Sequence, residues 1–370
     1  MNLATTLSSP QPCHWHWNGH RVHYIRAGAP ASENAVVLIH GFGASSGHWR
    51  HTIPALAANA DVVAVDLLGF GASDKPRSWV SGDQDDSGAV HYCFDLWADQ
   101  VVDLLQVCGL LDPPSLGTPG RRLHLVGNSI GGMVALAAAC RLRQRGSSPY
   151  QVVLINCAQR TLDDRRLVEQ PALNRWIRPL LKQLIRQRGV TSTLFRLLAR
   201  PVVIRQVLQQ AYPSGSHVDE QLISLLHRPS LDPGASESFR GFVNLFRDHL
   251  APDLLEQLSR PEPTPVRMIW GMADPWENHL EARSWLQKHD CIQALIELPQ
   301  LGHCPHDEAP EQVNPILCDW IFGSSDHDSP TERRATGADG STEPAQSANH
   351  RTCETTNEIG KSSNLPALGT

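Results

Sequence analysis

The chain has 370 residues and a net charge of −6 with histidine neutral, room for one large α/β domain with an insertion or for two ordinary domains. No global basic field argues for nucleic acid, no stretch has the length or purity of a transmembrane helix, and residues 1–11 lack the basic-then-apolar layout of a secretory signal. Nine cysteines are scattered singly, without a Cys-x-x-Cys pair or a metal-ligand spacing, so they read as small buried hydrophobes and a cytoplasmic protein is expected.

Two alternating runs come first, 14–17 and 21–25, joined by Asn18-Gly19, the strongest short hairpin signal. His14, His16 and His20 invite a metal reading, but their alternation with tryptophan fits an edge hairpin better. Residues 35–39 form a continuous apolar run, as a parallel strand buried on both faces does, and lead into His40-Gly41-Phe42-Gly43. A second such run, 62–66, follows a segment of helical spacing at 49–57. Strand, helix, strand is the signature of a βαβ unit. Between polar loops at 83–88 and 113–120, residues 91–109 read as a long amphipathic helix.

Residues 123–126 are again a short buried strand, and Gly127-Asn128-Ser129-Ile130-Gly131 follows it directly. A helix is expected from Gly132 onward, then a strand at 151–155. From 159 to 263 the pattern holds only helical stretches punctuated by proline and glycine, which reads as a cap. Strands resume at 266–270 and 292–298, and a last helix spans 310–322. The expected layout is a core in two parts, 1–158 and 264–322, with the cap 159–263 between them. Residues 323–370 contain no aromatic residue and cannot bury enough apolar surface to offset ordering, so a disordered tail is expected.

A Gly-x-Ser-x-Gly between strand and helix is the nucleophile elbow of α/β-hydrolases. The turn is so sharp that a Cβ at either glycine would strike its neighbours, and Ser129 at the apex presents its Oγ. A serine hydroxyl needs a base within hydrogen-bond reach. His303 follows the last strand, where this fold carries its histidine. Asp274 lies after the strand 266–270, giving the chain order Ser, acid, His. Asn156 and Cys157, after the strand 151–155, cannot serve as the acid, and Asp66 reads as structural. The backbone N–H groups of Phe42 and Ile130 are expected to receive the oxyanion. His306 could compete as base, but position favours His303; His40 reads as holding its loop, and His48, His51 and His91 as surface or core residues. The expected fold class is α/β: an α/β-hydrolase fold with a mostly parallel central sheet, helices on both faces and a helical cap insertion.

Phe94-Asp95-Leu96-Trp97-Ala98-Asp99-Gln100, the run Gly127 to Gly132, Leu154-Ile155-Asn156, Asp274-Pro275-Trp276 and Gly302-His303-Cys304-Pro305-His306-Asp307-Glu308 resemble the pheophytinase-type α/β-hydrolases of plants and cyanobacteria. The cap run Arg205 to Tyr212 does so too. The resemblance covers about 36–322. It implies a serine ester hydrolase acting on a small-molecule substrate, a bulky hydrophobic ester such as the phytyl ester of pheophytin or chlorophyll, with Ser129 as nucleophile, His303 as base and Asp274 as acid, and with no metal or cofactor. The polar tail and the lack of a plastid transit peptide depart from the plant pattern.

In the cap, Leu173, Trp176, Ile177, Leu180, Leu181, Leu184 and Ile185 form an apolar face, with Arg175, Arg178, Lys182, Arg186 and Arg188 beside or opposite it. Such a helix can lie on an anionic membrane surface, which is compatible with a peripheral membrane contact through the cap; equally, the apolar face can cover the pocket while the arginines stay solvated. Other readings of the chain stay open. Asn128 before the serine also occurs in hydrolases that cleave carbon–carbon bonds of ring-fission products. Haloalkane dehalogenases and epoxide hydrolases resemble 66–76, but their elbow carries aspartate. A ligand receptor on the same fold is the alternative from a different class. The oligomeric state is left open.

Overall fold

A computed structural model describes residues 8–84, 86–111, 120–169 and 172–323, without the side chains of 8, 167, 168 and 172–176. These residues fall within the first of two compact units, 1–336 and 337–370. The tail expected to be disordered lies outside the described residues from 324 on, as do the side chains of Leu173, Arg175 and Trp176.

Among the described residues, eight strands form one sheet in the order β1-β2-β4-β3-β5-β6-β7-β8. Strands β1 (Ser8–Trp17) and β2 (His20–Gly28) are the expected hairpin. Both turn residues, Asn18 and Gly19, have positive φ, as a two-residue I′ turn requires. β2 runs antiparallel to β4 (Asp61–Val65). From β4 onward the sheet is parallel, through β3 (Asn34–Ile39), β5 (Arg122–Asn128), β6 (Gln151–Ile155), β7 (Val266–Gly271) and β8 (Ile292–Leu298).

The continuous apolar runs follow from burial on both faces. In β3, Val37 and Ile39 enter one core cluster while Val36 and Leu38 enter the other. Helix α1 (Thr52–Ala57) covers the second face, and α2 (Phe94–Val107) and α3 (Ile130–Gln144) cover the first. The fold is the expected α/β-hydrolase architecture.

The helical insertion contains α4 (Ala172–Arg186), α5 (Arg188–Leu198), α6 (Pro201–Ala211), α7 (Glu220–Ser230), α8 (Ala235–Val243) and α9 (Ala251–Ser259). The expected cap interval 159–263 thus takes in α9, whose Leu254, Leu255 and Leu258 belong to the core cluster shared with α3. The chain ends its core with α10 (His279–Lys288), α11 (Pro305–Glu308) and α12 (Pro310–Phe322); Val313 and Leu317 of α12 share the second face with α1. Arg240 of α8 ties the cap down by two bonds to Asp83, 2.8 and 2.7 Å.

The apolar stripe of α4 does not simply cover the pocket. Leu181 and Ile185 line the cavity described below, yet Leu181 is itself 51% exposed, as are Ile177, Leu180 and Leu184 at 51%, 72% and 48%. Nor do Arg178 and Lys182 remain solvated. Both turn inward to Asp164 and lie over the Phe246 ring. A helical period fixes which residues share a face, not where that face points, and the ion pair with Asp164 decides the direction here.

Candidate active site

Ser129 sits between β5 and α3 with φ 55° and ψ −122°, a backbone conformation that costs a non-glycine residue on the order of 1–3 kcal/mol unless its surroundings enforce it. They do so through hydrogen bonds and close packing. The Ser129 N–H donates to the Ile155 carbonyl at 3.0 Å, and its own carbonyl accepts from Ala158 N at 3.1 Å, so β6 clamps the turn from one side. A Cβ on Gly127 would lie 2.2 Å from the Gly131 carbonyl oxygen, and one on Gly131 would lie 2.2 Å from that of Ile39. Both positions are closed to any other residue.

His303, on the loop after β8, is held from three directions. Its N–H donates to the Ala211 carbonyl of α6 at 2.9 Å. Its carbonyl accepts from Asn128 Nδ2 at 3.0 Å. Its Nδ1 lies 2.7 Å from Asp274 Oδ2, and a carboxylate acceptor fixes the proton on Nδ1, leaving Nε2 as the basic nitrogen. The Trp276 ring meets the imidazole edge to face at 4.8 Å.

Asp274, after β7, has a side chain with no solvent exposure. Its Oδ1 accepts from the N–H groups of Trp276 at 2.8 Å and Glu277 at 3.2 Å. Its Oδ2 accepts from His303 and from Asn156 Nδ2, each at 2.7 Å. Four donors replace the water that the buried carboxylate gave up.

Ser129, His303, Trp276 and Glu277 line a cavity of about 900 Å³ under the cap. Among the described residues, no protein acceptor takes the N–H of Phe42, on the loop after β3, or of Ile130, the first residue of α3. Both residues line that cavity. His40 fixes the Phe42 loop: its Nε2 accepts from Leu67 N at 3.1 Å while Nδ1 donates to the Gly41 carbonyl at 2.7 Å. Burial lowers the pKa of His40, consistent with the neutral ring that this pattern needs. Among the described residues no group of three or more His, Cys, Asp or Glu side chains is arranged to hold a metal ion, and no helix is long and apolar enough to cross a membrane.

The alpha/beta hydrolase family model matches residues 36–316. The chain belongs to that family. It is 29% identical over 332 residues to the chloroplastic pheophytinase of Arabidopsis thaliana, an alignment covering 81% of this chain and 64% of that protein. It is 26% identical to the 2-hydroxymuconate semialdehyde hydrolase of Pseudomonas sp. (strain CF600), over 73% of this chain and 80% of that one. Among solved structures, an epoxide hydrolase, CorEH, superposes with a TM-score of 0.63 at 20% identity, covering 85% of this chain and 99% of its own.

This hydrolase therefore brings Ser129, Asp274, His303, Phe42 and Ile130 to one end of the sheet. His306 is elsewhere. It is fully buried against Trp49, with ring centroids 4.2 Å apart. His48 lines the cavity, but burial holds its pKa down to about 4, and its Nε2 is bonded to the Tyr212 hydroxyl at 2.7 Å. Asp66 is structural, as expected: its carboxylate accepts from Ser46 N, Ala72 N and His23 Nδ1. Burial raises its pKa, but these bonds outweigh burial and hold it low.

Three residues of the site were not legible as such. Asn156, which cannot itself act as an acid, is instead the donor that holds the Asp274 carboxylate. Asn128 does not face the substrate through its amide, which bridges the carbonyls of Ile155 and His303. The one available signal is position, since each asparagine ends or directly follows a strand at the same end of the sheet. Glu277 is a third. Burial pushes its carboxyl up to about 7, although it accepts the Gln159 N–H at 2.8 Å.

Proposed function

We propose that this hydrolase cleaves carboxylic esters of bulky hydrophobic compounds through a serine acyl-enzyme. The observation that carries this reading is the 2.7 Å bond between His303 Nδ1 and Asp274 Oδ2, in a cavity that also contains Ser129 on its strained turn. Ser129 Oγ attacks the ester carbonyl carbon while His303 Nε2 takes the hydroxyl proton. The N–H groups of Phe42 and Ile130 receive the negative oxygen. As the tetrahedral species collapses, the carbon–oxygen bond to the alcohol breaks and His303 returns the proton to the departing oxygen. A water then gives its proton to His303, its oxygen adds to the acyl carbon, and the acid leaves Ser129 with the proton restored.

The size of the cavity and its lining by Leu181, Ile185, Phe242, Leu245 and Phe246 favour a large apolar substrate. Likeness to pheophytinase suggests the phytyl ester of pheophytin or chlorophyll as the first compound to try. Incubation with pheophytin, chlorophyll and short acyl esters side by side tests the reading, with Ser129→Ala as control. Cleavage of short esters alone removes the pigment; full activity in Ser129→Ala removes the nucleophile. Asp274→Asn should lower kcat by about 10⁴-fold by the logic of other triads.

Carbon–carbon bond hydrolysis is the second reading, favoured by the 26% identity to 2-hydroxymuconate semialdehyde hydrolase. Turnover of a ring-fission product in place of any ester would select it. A receptor role on this fold would show as turnover that stops near one equivalent.

A further inference from the structure

A second, smaller cavity of about 280 Å³ adjoins the one that holds Ser129 and His303. The two share Phe42, Val207, Leu208 and Leu226 as walls. Phe42 is the partition. Its ring stacks on Phe242 at 4.1 Å and 23°, and meets Phe70 edge to face at 5.6 Å. The backbone N–H of the same residue is one of the two groups assigned to the oxyanion. The wall between the two cavities therefore stands beside the place assigned to the reacting carbonyl.

The smaller chamber is built for something without polar atoms. Phe70, Phe195, Leu198, Ile204 and Phe239 make up much of its wall. Its polar side chains are Lys75, Ser230 and Ser238, and each is already bonded within the protein. Lys75 Nζ donates to the Gly71 and Ser73 carbonyls and to Asp232. Ser230 Oγ donates to the His227 carbonyl, and Ser238 Oγ to that of Ala235. A polar ligand group would lose its water here and find no side-chain donor waiting, which is costly. A hydrocarbon loses nothing.

We propose that the chamber behind Phe42 is a subsite for an aliphatic chain of the substrate, while the ester lies at Ser129 and the bulkier part fills the main cavity. This rests on the ester-hydrolase reading above. At about 280 Å³ the chamber has room for a medium-length aliphatic chain. The chain belongs to the acyl or the alcohol side of the ester, and the test separates the two.

Two ester series are compared. One is p-nitrophenyl esters from acetate to palmitate; the other is acetates of 1-alkanols from butyl to hexadecyl. In one series kcat/KM should climb by about fourfold per methylene until the chamber is full, then level off; that series identifies the side. Ala199→Trp and Ile204→Trp each fill the chamber from its wall. Either variant should lower the ratio of long-chain to short-chain kcat/KM at least tenfold in that series.

A binding measurement guards against loss of turnover for another reason. N-dodecyl dansylamide, whose alkyl chain ends free, should bind the Ser129→Ala protein and bind at least tenfold more weakly when Ala199→Trp or Ile204→Trp is added. Chain-length profiles and N-dodecyl dansylamide affinities that are the same in all proteins overturn the subsite. Absence of turnover in both series, with N-dodecyl dansylamide binding still sensitive to the filling variants, overturns the ester reading and leaves the subsite standing.

Discussion

Asn156 Nδ2 donates to Asp274 Oδ2 at 2.7 Å, on the same oxygen that holds His303 Nδ1 at 2.7 Å. Asn156 is fixed for this task. Its Oδ1 accepts from Gly271 N at 2.9 Å, and its backbone lies in the left-handed region at φ 41°, where asparagine is tolerated better than most residues. Replacement by leucine should remove a donor from a buried carboxylate and lower kcat by about 10- to 100-fold with little change in KM. Asn156→Asp should place two carboxyl groups where both cannot ionise, so the pH profile of kcat gains a titration above the ordinary carboxylate range. Steady-state kinetics across pH checks both, and a wild-type profile in either variant refutes the role.

Glu277 gives a stability prediction of definite sign. Burial raises its carboxyl from 4.5 to about 7, with His303, Asp274 and Glu281 as the titratable neighbours. The folded protein binds this proton more tightly than the unfolded chain. The resulting contribution is fully present below about pH 4.5 and is lost as pH rises through about 7. Glu277→Gln escapes that loss. Its Tm relative to the wild type should rise between pH 5 and pH 8, and a difference independent of pH would count against the buried proton.

If the cap meets an anionic lipid surface, the exposed Ile177, Leu180, Leu181 and Leu184, with Arg186 exposed on the same helix, are the residues that would touch it. The double variant Leu180→Ser with Leu184→Ser should pellet less with phosphatidylserine vesicles at low salt, while hydrolysis of a soluble short ester changes little. If the wild type fails to pellet at all, the lipid contact is withdrawn.

At the turn itself, Gly131→Ala should be poorly tolerated. Its methyl would lie 2.2 Å from the Ile39 carbonyl oxygen and 2.6 Å from that of His40, atoms of the strand and loop that frame the site. A loss of about 3 kcal/mol or more is expected from chemical denaturation, with activity falling even where folded protein is recovered.

What the sequence revealed, and what it withheld, divides along physical lines. Continuous apolar runs such as 35–39 are legible because burial on both sheet faces leaves no other composition. The elbow is legible because sterics restrict Gly127 and Gly131 to glycine. The triad order follows from strand succession. The direction of α4 is not legible, because Arg178 and Lys182 could face water or Asp164 with equal periodicity. Neither is the place of α9: Leu254, Leu255 and Leu258 make an ordinary apolar stripe whether the helix joins the cap or packs on α3. Asn156 escaped notice because its contribution is one hydrogen bond, formed between residues 118 positions apart.

The bond from His303 N to the Ala211 carbonyl at 2.9 Å has a mechanical meaning. Ala211 ends α6, and the next residue, Tyr212, donates its hydroxyl to Asp307 at 3.1 Å, close behind the histidine. The cap is thus riveted to the loop that carries His303 at this end. A lid swinging from the α6 side would drag the imidazole with it.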